Sequence, residues 1–289
     1  MPARAALRAG VGRWPIQYGP AAMRSLRILL TAAAIVLGAG QGLAGAIGER
    51  AICRTLRRNT GALRLRGPAG HMSVLVTGDS MSYPIDQELA VERPPGMTVH
   101  VDRHDGTGLT TQTVNWSRLA ARQVRRFRPD ATVITIGGRD GGIPLRGRGH
   151  GLTPCCGARW LRLYANRLRP LARSYVRGGE AHVYWLELPA PKEALRAPLY
   201  EAVNEALVLL AGEFPGELTL IDVPGAISPG GFQERISYEG LEVRPRTPDG
   251  IHLDHAGACI ERSLIVSAML ADGQLEEARG AFDLPLGWG

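Results

Sequence analysis

The stretch MSVLVTGDS, residues 72–80, combines an apolar run with the turn that follows it. Its first part, 72–77, is short and rich in valine, which is typical of a strand buried in a parallel sheet. The run stops at Gly78-Asp79-Ser80, and residues 81–89 can form a helix. A serine between a strand and a helix presents its hydroxyl above the sheet, with its backbone N–H at a helix N-terminus. The stretch therefore predicts the first strand of an α/β sheet and a candidate nucleophile, Ser80.

The rest of the chain alternates similar apolar runs with helical patterns. Strands are predicted at 97–101, 131–136, 181–188 and 218–223, and helices at 116–128, 158–177, 195–210 and 256–270. Five strands alternating with helices predict a parallel sheet that is covered on both faces. Right-handed crossovers and the common strand order 2-1-3-4-5 predict a flavodoxin-like three-layer α/β/α sandwich.

The charge of the chain is unevenly distributed. The 289 residues have a formal net charge of +7, but residues 118–177 hold fourteen arginines against two aspartates. If the helices at 116–128 and 158–177 lie side by side, most of these arginines form one basic face. Such a face could bind an anionic membrane or polymer surface, or it could simply be solvated. No nucleic-acid-binding motif accompanies the arginines, so we expect no nucleic-acid partner.

The N-terminal region is typical of an exported protein. Residues 28–48 carry no charge, Arg24 and Arg27 precede them, and Ala44-Gly45-Ala46 resembles a signal-peptidase site. We expect a signal peptide or a retained membrane anchor at 23–48, and both remain open. The predicted order is a basic extension at 1–22, this segment, a linker at 49–71, a hydrolase domain at 72–272 and a tail at 273–289. Export would place the protein in the cell envelope, as a membrane-anchored or a secreted protein.

Four cysteines, Cys53, Cys155, Cys156 and Cys259, allow three disulfide pairings in an exported protein. A bond between the adjacent Cys155 and Cys156 would be strained, so the pairing stays open. No Cys-x-x-Cys spacing, phosphate-binding glycine loop or dinucleotide fingerprint is present. We therefore expect neither a metal nor an organic cofactor.

Polar clusters follow the predicted strands and precede the last helix. They include Gly106-Thr107-Gly108, Gly137-Gly138-Arg139-Asp140 and Asp249-x-x-His252. The carboxyl ends of parallel strands meet at one edge of a sheet, so these clusters can converge on Ser80. An aspartate three residues before a histidine in a loop can hold Nδ1 of the imidazole and leave Nε2 free to activate a serine. The pattern predicts acyl-transfer chemistry.

With these motifs in this order, the chain resembles the SGNH (GDSL-like) hydrolase superfamily, and most of all a bacterial membrane-anchored branch of poorly characterised function. The resemblance implies that Ser80 is the nucleophile, His252 the general base and acid, and Asp249 its orienting carboxylate. It also implies an oxyanion hole formed by the backbone N–H groups of Ser80 and Gly108 and by the side chain at position 139.

Position 139 is where the chain departs from the superfamily, which has asparagine there. Arg139 could donate to the oxyanion or bind an anionic group of the substrate. Alternatively it points elsewhere, and the hole lacks one donor, which costs about 10²–10³ in turnover.

The sequence thus predicts a serine esterase that cleaves ester (O-acyl) bonds through a covalent acyl-enzyme. The expected substrate is an acylated small molecule, glycan or lipid of the cell envelope. Two alternatives stay open: an O-acyltransferase with the same machinery, and a catalytically impaired module that binds the envelope.

Overall fold

A computed structural model describes residues 50–57, 63–65, 70–111, 113–147 and 151–277. The basic extension and the segment at 23–48 lie outside these residues, so both stay predictions. Among the helices of the described ranges, none is both long and apolar enough to cross a membrane.

The centre of the domain is a sheet of five parallel strands. They are β1 (Met72–Gly78), β2 (Met97–Arg103), β3 (Ala131–Thr135), β4 (His182–Leu186) and β5 (Leu218–Ile221). Their order is β2-β1-β3-β4-β5, which confirms the predicted order. Strands β1, β3 and β4 are buried at every position, because each has neighbours on both sides and helices on both faces.

Helices cover both faces of the sheet, which confirms the three-layer fold. They are α1 (residues 50–57), α2 (Ile85–Val91), α3 (Trp116–Phe127), α4 (Ala158–Val176), α5 (Ala197–Ala211), α6 (Val223–Ile227) and α7 (His255–Ala271). Two apolar clusters result. One lies between the sheet and α3, α4 and α5, and the other between the sheet and α1, α2, α6 and α7. Helices α3, α4, α5 and α7 lie where the helical patterns predict them. Helix α4 continues through Pro170.

Helices α3 and α4 pack side by side on the same face of the sheet. We call their exposed arginines the basic face, which consists of Arg118, Arg122, Arg125, Arg126, Arg159, Arg162 and Arg173. The expected placement of the two helices is therefore confirmed, whereas the partner of the basic face remains a prediction.

Helix α1 packs against the core of the domain, although it falls within the predicted linker. Ile52 and Leu56 are buried in the cluster beside α7. Cys53 is joined to Cys259 of α7 by a disulfide with an S–S distance of 2.04 Å. In addition, strand Leu63–Leu65 pairs antiparallel with Leu275–Glu277 from the predicted tail. These parts of both segments therefore belong to the folded domain.

The segment 141–157, which follows β3, holds the second disulfide, between Cys155 and Cys156. A short antiparallel pair, Leu145–Arg146 with Leu152–Thr153, lies within this segment. Another pair, Ile236–Tyr238 with Leu241–Val243, lies in the long connection before α7. Neither pair could be recognised in the sequence, since strands of two or three residues leave too short a pattern.

Candidate active site

Ser80 lies at the carboxyl end of β1, in the turn that leads to α2. The turn begins as a short 3-10 helix, Ser80–Ser82, and Asp79 caps it by accepting a hydrogen bond from the N–H of Met81 at 2.8 Å. Ser80 is partly exposed, while Asp79 is only 1% exposed. The local sequence thus buries the aspartate and leaves the serine hydroxyl accessible.

The structure brings Ser80, His252 and Asp249 together. Ser80 Oγ lies 2.8 Å from Nε2 of His252, and Nδ1 of His252 lies 2.6 Å from Oδ2 of Asp249. An ionised carboxylate can only accept, so Nδ1 carries the proton and donates to Asp249. In the neutral imidazole Nε2 is then the acceptor for the Ser80 hydroxyl. This is the geometry that a serine nucleophile and its general base require.

The loop before α7 keeps Asp249 ionised. Its Oδ1 accepts hydrogen bonds from Thr247 Oγ1 at 2.6 Å, from the N–H of Ile251 at 2.8 Å and from the N–H of His252 at 3.0 Å. Partial burial alone would raise the pKa of Asp249. The hydrogen bonds from His252, Thr247 and the backbone outweigh it and hold the pKa well below its usual value.

Gly250 allows the tight turn between the two triad candidates. Its φ is +68°, a conformation that residues with a Cβ rarely adopt. A Cβ there would also lie 2.3 Å from the Cβ of Lys192. The turn and its close approach to the loop after β4 therefore depend on glycine.

Arg246 is a functional candidate that the sequence reasoning missed. Its side chain is 2% exposed and donates to the backbone carbonyls of Ile251 and Ala190, the latter at 2.9 Å. It thus ties the peptide that precedes His252 to the loop after β4. Burial lowers the pKa of Arg246, and the nearby charge of Glu261 on α7 opposes this shift. One arginine among 34 basic residues carries no local signal of such a role.

The N–H groups of Ser80 and Gly108 are the two backbone donors that the resemblance implies for the oxyanion hole. In the part of the chain that the structure describes, the N–H groups of Ser80 and Gly108 donate to no protein acceptor. A Cβ at position 108 would lie 2.4 Å from Oδ1 of Asp140, so only glycine allows this loop to approach that carboxylate so closely. Neither group is therefore engaged by another acceptor of the described residues, and their role as oxyanion donors stays a prediction.

Asp140 holds the Gly108 loop in place. Its oxygens accept from the N–H of Leu109 at 3.0 Å, and from the N–H and the hydroxyl of Thr110 at 2.8 and 2.7 Å. The hydroxyl of Tyr164 donates to the same carboxylate at 2.6 Å. Burial, followed by the charge of Asp140, raises the pKa of Tyr164, so this hydroxyl remains a donor.

Asp79 holds the other loop of the site, the one that follows β3. It accepts from the N–H groups of Gly137 and Gly138 at 2.9 and 3.2 Å. Burial raises the pKa of Asp79 to about 6, although these backbone hydrogen bonds oppose the shift. Sequence reasoning noted Asp79 and Asp140 as motif residues but missed that they orient two backbone loops.

Arg139 lies on the wall of the cleft, with an exposed side chain. Its Nη1 lies 4.0 Å from the point that a Cβ on Gly106 would occupy, so the guanidinium extends from the β3 loop towards the β2 loop. Within the described ranges it has no hydrogen-bond or ion-pair partner. The structure thus brings position 139 to the cleft of Ser80.

The cleft around Ser80 has a volume of about 930 Å³. One side presents Arg139, Asp105 and Gly106, and another is apolar, with the Cys155–Cys156 disulfide among its residues. Pro198 and Leu199 of α5, with Leu195 before it, extend the apolar side, and Leu195 is 88% exposed. The space can hold a substrate much larger than an acetyl group.

Several solved structures are similar to the chain at low sequence identity. A lipolytic G-D-S-L family protein from Veillonella parvula is 11% identical, with a TM-score of 0.45, and the match covers 69% of this chain and 98% of that one. The catalytic domain of peptidoglycan O-acetyltransferase A from Streptococcus pneumoniae is 14% identical, with a TM-score of 0.44 and coverages of 72% and 97%. A catalytic mutant of an acetylxylan esterase from Geobacillus stearothermophilus gives the same four values. No curated protein matches the chain.

The family comparison covers most of the folded domain. Residues 73–267 match a family described as "Protein of unknown function (DUF459)". These residues include the five strands, apart from Met72 at the start of β1, and every candidate site residue, and the predicted SGNH (GDSL-like) resemblance is confirmed. The chain therefore belongs to the DUF459 family, and its fold is that of the SGNH hydrolases.

Proposed function

We propose that the protein is a serine esterase that cleaves O-acyl esters through a covalent acyl-enzyme. The observation that carries this proposal is the chain of two hydrogen bonds from Ser80 Oγ through His252 to Asp249, at 2.8 and 2.6 Å. It joins residues 172 positions apart in the sequence at the mouth of an open cleft.

In the first half of the reaction, Ser80 Oγ attacks the ester carbonyl carbon and its proton passes to Nε2 of His252. The carbonyl oxygen becomes an oxyanion, which accepts hydrogen bonds from the N–H groups of Ser80 and Gly108. Asp249 stabilises the imidazolium. The intermediate then expels the alcohol, which takes the proton from Nε2, and the acyl group remains on Ser80.

In the second half, water attacks the acyl-enzyme while Nε2 of His252 accepts its proton. Collapse of the second oxyanion breaks the bond to Ser80 Oγ, which recovers the proton, and releases the carboxylic acid. If a hydroxyl group of a glycan takes the place of water, the products are a new ester and free enzyme. The same residues would then make the protein an O-acyltransferase.

The proposed substrates are acylated glycans or lipids of the cell envelope. This part of the proposal depends on the predicted export segment at 23–48. The size of the cleft supports it, since a cleft of about 930 Å³ has room for more than one sugar or for an extended acyl chain.

The test combines covalent labelling with turnover. We expect a fluorophosphonate probe to label the folded wild-type protein, and the protein to release p-nitrophenol from p-nitrophenyl acetate. Ser80→Ala should abolish both signals. Ser117→Ala, which removes a serine hydroxyl on α3, should change neither. Labelling that persists in Ser80→Ala would contradict the assignment of the nucleophile.

Arg139 is proposed as a side-chain donor to the oxyanion, as the resemblance implies. Arg139→Asn restores the residue of the superfamily and tests this role. A higher rate would mean that arginine leaves the hole one donor short. An unchanged or lower rate would mean that arginine has a role of its own.

A second candidate function is that of an envelope-binding module, and the basic face favours it. Seven exposed arginines on α3 and α4 would be attracted to an anionic membrane or polymer. Absence of labelling in correctly folded protein, together with sedimentation on vesicles that contain phosphatidylglycerol, would favour this candidate over the esterase.

A further inference from the structure

Among the described residues, Arg139 differs from the other charged groups around the cleft because it has no hydrogen-bond or ion-pair partner. The nearby carboxylates are all occupied by donors of the protein. Asp105 pairs with Arg103 at 2.7 Å, and the oxygens of Asp79, Asp140 and Asp249 accept the hydrogen bonds described above.

Arg196, the other arginine of the cleft, pairs with Glu193 at 2.7 Å. Arg139 therefore makes no direct ion pair within the described part of the chain. Its guanidinium shares a cleft with Ser80 and His252, and it lies beside the loop that carries the Gly108 N–H.

We propose that Arg139 forms an anion-binding subsite, and that the ester which this protein cleaves carries a carboxylate or phosphate close to the reacting carbonyl. The inference rests on the proposed esterase function. A guanidinium stays protonated under all conditions in which proteins fold, and its planar fork matches both anions. Its position beside the β2 loop would hold the charged group on the oxyanion side of the cleft.

This role makes a different prediction from a role in the oxyanion hole alone. A donor that serves only the oxyanion stabilises the transition states of neutral and anionic esters by the same factor. An anion subsite acts only when the substrate carries a charge, and it acts in the ground state too, so it lowers KM for charged esters.

Matched ester pairs separate the two roles. The pair p-nitrophenyl hydrogen succinate and p-nitrophenyl valerate differs in charge on the acyl side. The pair 4-acetoxybenzoate and its methyl ester differs in charge on the alcohol side. We expect Arg139→Gln to lower kcat/KM for the charged member of at least one pair about 10- to 100-fold more than for its neutral partner, the range of a charge-assisted hydrogen bond.

The control is Arg64→Gln, which removes an exposed arginine from the strand Leu63–Leu65. That strand contacts Gly96, which precedes β2 at the amino ends of the strands, whereas Arg139 lies at their carboxyl ends. This variant should leave the ratio of charged to neutral kcat/KM unchanged in both pairs. Equal losses for charged and neutral esters in Arg139→Gln would overturn the anion subsite and leave the esterase intact.

A binding measurement tests the subsite without turnover. In the Ser80→Ala protein, succinate or inorganic phosphate should raise the Tm, because an anion that binds only the folded state stabilises it. The double variant Ser80→Ala, Arg139→Gln should lose this shift. A larger shift with phosphate than with succinate would indicate a phosphorylated substrate, and the reverse a carboxylated one.

The two proposals fail in different ways. Identical Tm shifts with and without Arg139 would refute the subsite, whatever the esterase assays show. A shift that depends on Arg139, in a protein that cleaves no ester and takes no fluorophosphonate label, would support the anion site and refute the esterase.

Discussion

Changing Asp249 to asparagine tests the proposed mechanism most directly. The structure dictates how the new amide must lie. Oδ1 of Asp249 accepts three hydrogen bonds, from Thr247 Oγ1 and from the N–H groups of Ile251 and His252. The amide oxygen of asparagine has to take that place, since an NH2 group there would face three donors. The NH2 group is then directed at Nδ1 of His252.

That orientation reverses the tautomer of the imidazole. Nδ1 now has to accept from the amide, so the proton moves to Nε2, which faces Ser80 Oγ at 2.8 Å. A protonated Nε2 cannot take the hydroxyl proton. We expect kcat to fall about 10⁴-fold, the loss that a wrong tautomer causes in a Ser-His-Asp triad and equivalent to about 5.5 kcal/mol of transition-state stabilisation.

The assay is steady-state hydrolysis of p-nitrophenyl acetate, followed by the rate of fluorophosphonate labelling. Thr247→Val is the matched control, because it removes one donor to Oδ1 and keeps the carboxylate against Nδ1. We expect it to lower kcat no more than about tenfold, or ~1.4 kcal/mol. Far-UV circular dichroism and Tm establish that both variants are folded.

Retention of more than about a tenth of the wild-type kcat by Asp249→Asn would refute this reasoning. It would mean that Asp249 does not set the tautomer of His252, or that another group acts as the base. A loss as large in Thr247→Val would mean instead that the loop, rather than the carboxylate, determines the rate.

Three further changes test the surroundings of the site. Arg246→Met should lower kcat about 10- to 100-fold with little change in KM, because the carbonyl of Ile251 loses the donor that holds the peptide before His252. Arg246→Lys should restore part of the rate in the same steady-state assay. Glu261→Gln should flatten the pH dependence of stability: burial raises the pKa of Glu261 from its ordinary 4.5 to about 8, so the contribution of this group to the wild-type free energy of unfolding falls as pH rises from about 4.5 to 8, by at most about 1.4 kcal/mol per pH unit, and urea unfolding should show a smaller fall in the variant. Replacing Cys53 and Cys259 together by alanine should lower the free energy of unfolding by roughly 2–5 kcal/mol and leave kcat within about twofold, because the bond closes a loop of 206 positions and neither cysteine lines the cleft.

Much of the fold could be predicted from the sequence, because the buried strands and the apolar helix faces leave periodic patterns. The run at 72–77 and the other four strand patterns predicted the sheet, and the common order 2-1-3-4-5 with right-handed crossovers agrees with the observed order. Ser80, Asp249 and His252 could be found because each stands at a strand end or a helix start, where parallel topology collects side chains at one edge.

The sequence could not predict which polar residues orient the site. Asp79 and Asp140 have the same side chain and differ in which backbone N–H groups and hydroxyls surround them after folding. Arg246 looks like the other arginines until it is buried against two carbonyl groups. The docking of α1 and the pairing of Cys53 with Cys259 likewise depend on contacts between distant segments, for which no local pattern exists.

By itself, then, the sequence determined the alternation of elements and the identity of the residues able to do acyl-transfer chemistry. Only the tertiary structure decided the distances among them, the carboxylates that hold the two backbone loops, and the place of Arg139 in the cleft, where no described residue pairs with it. The physical reason is that periodicity records whether a side chain faces the core, whereas hydrogen-bond partners and uncompensated charges are set by which segments meet when the chain packs.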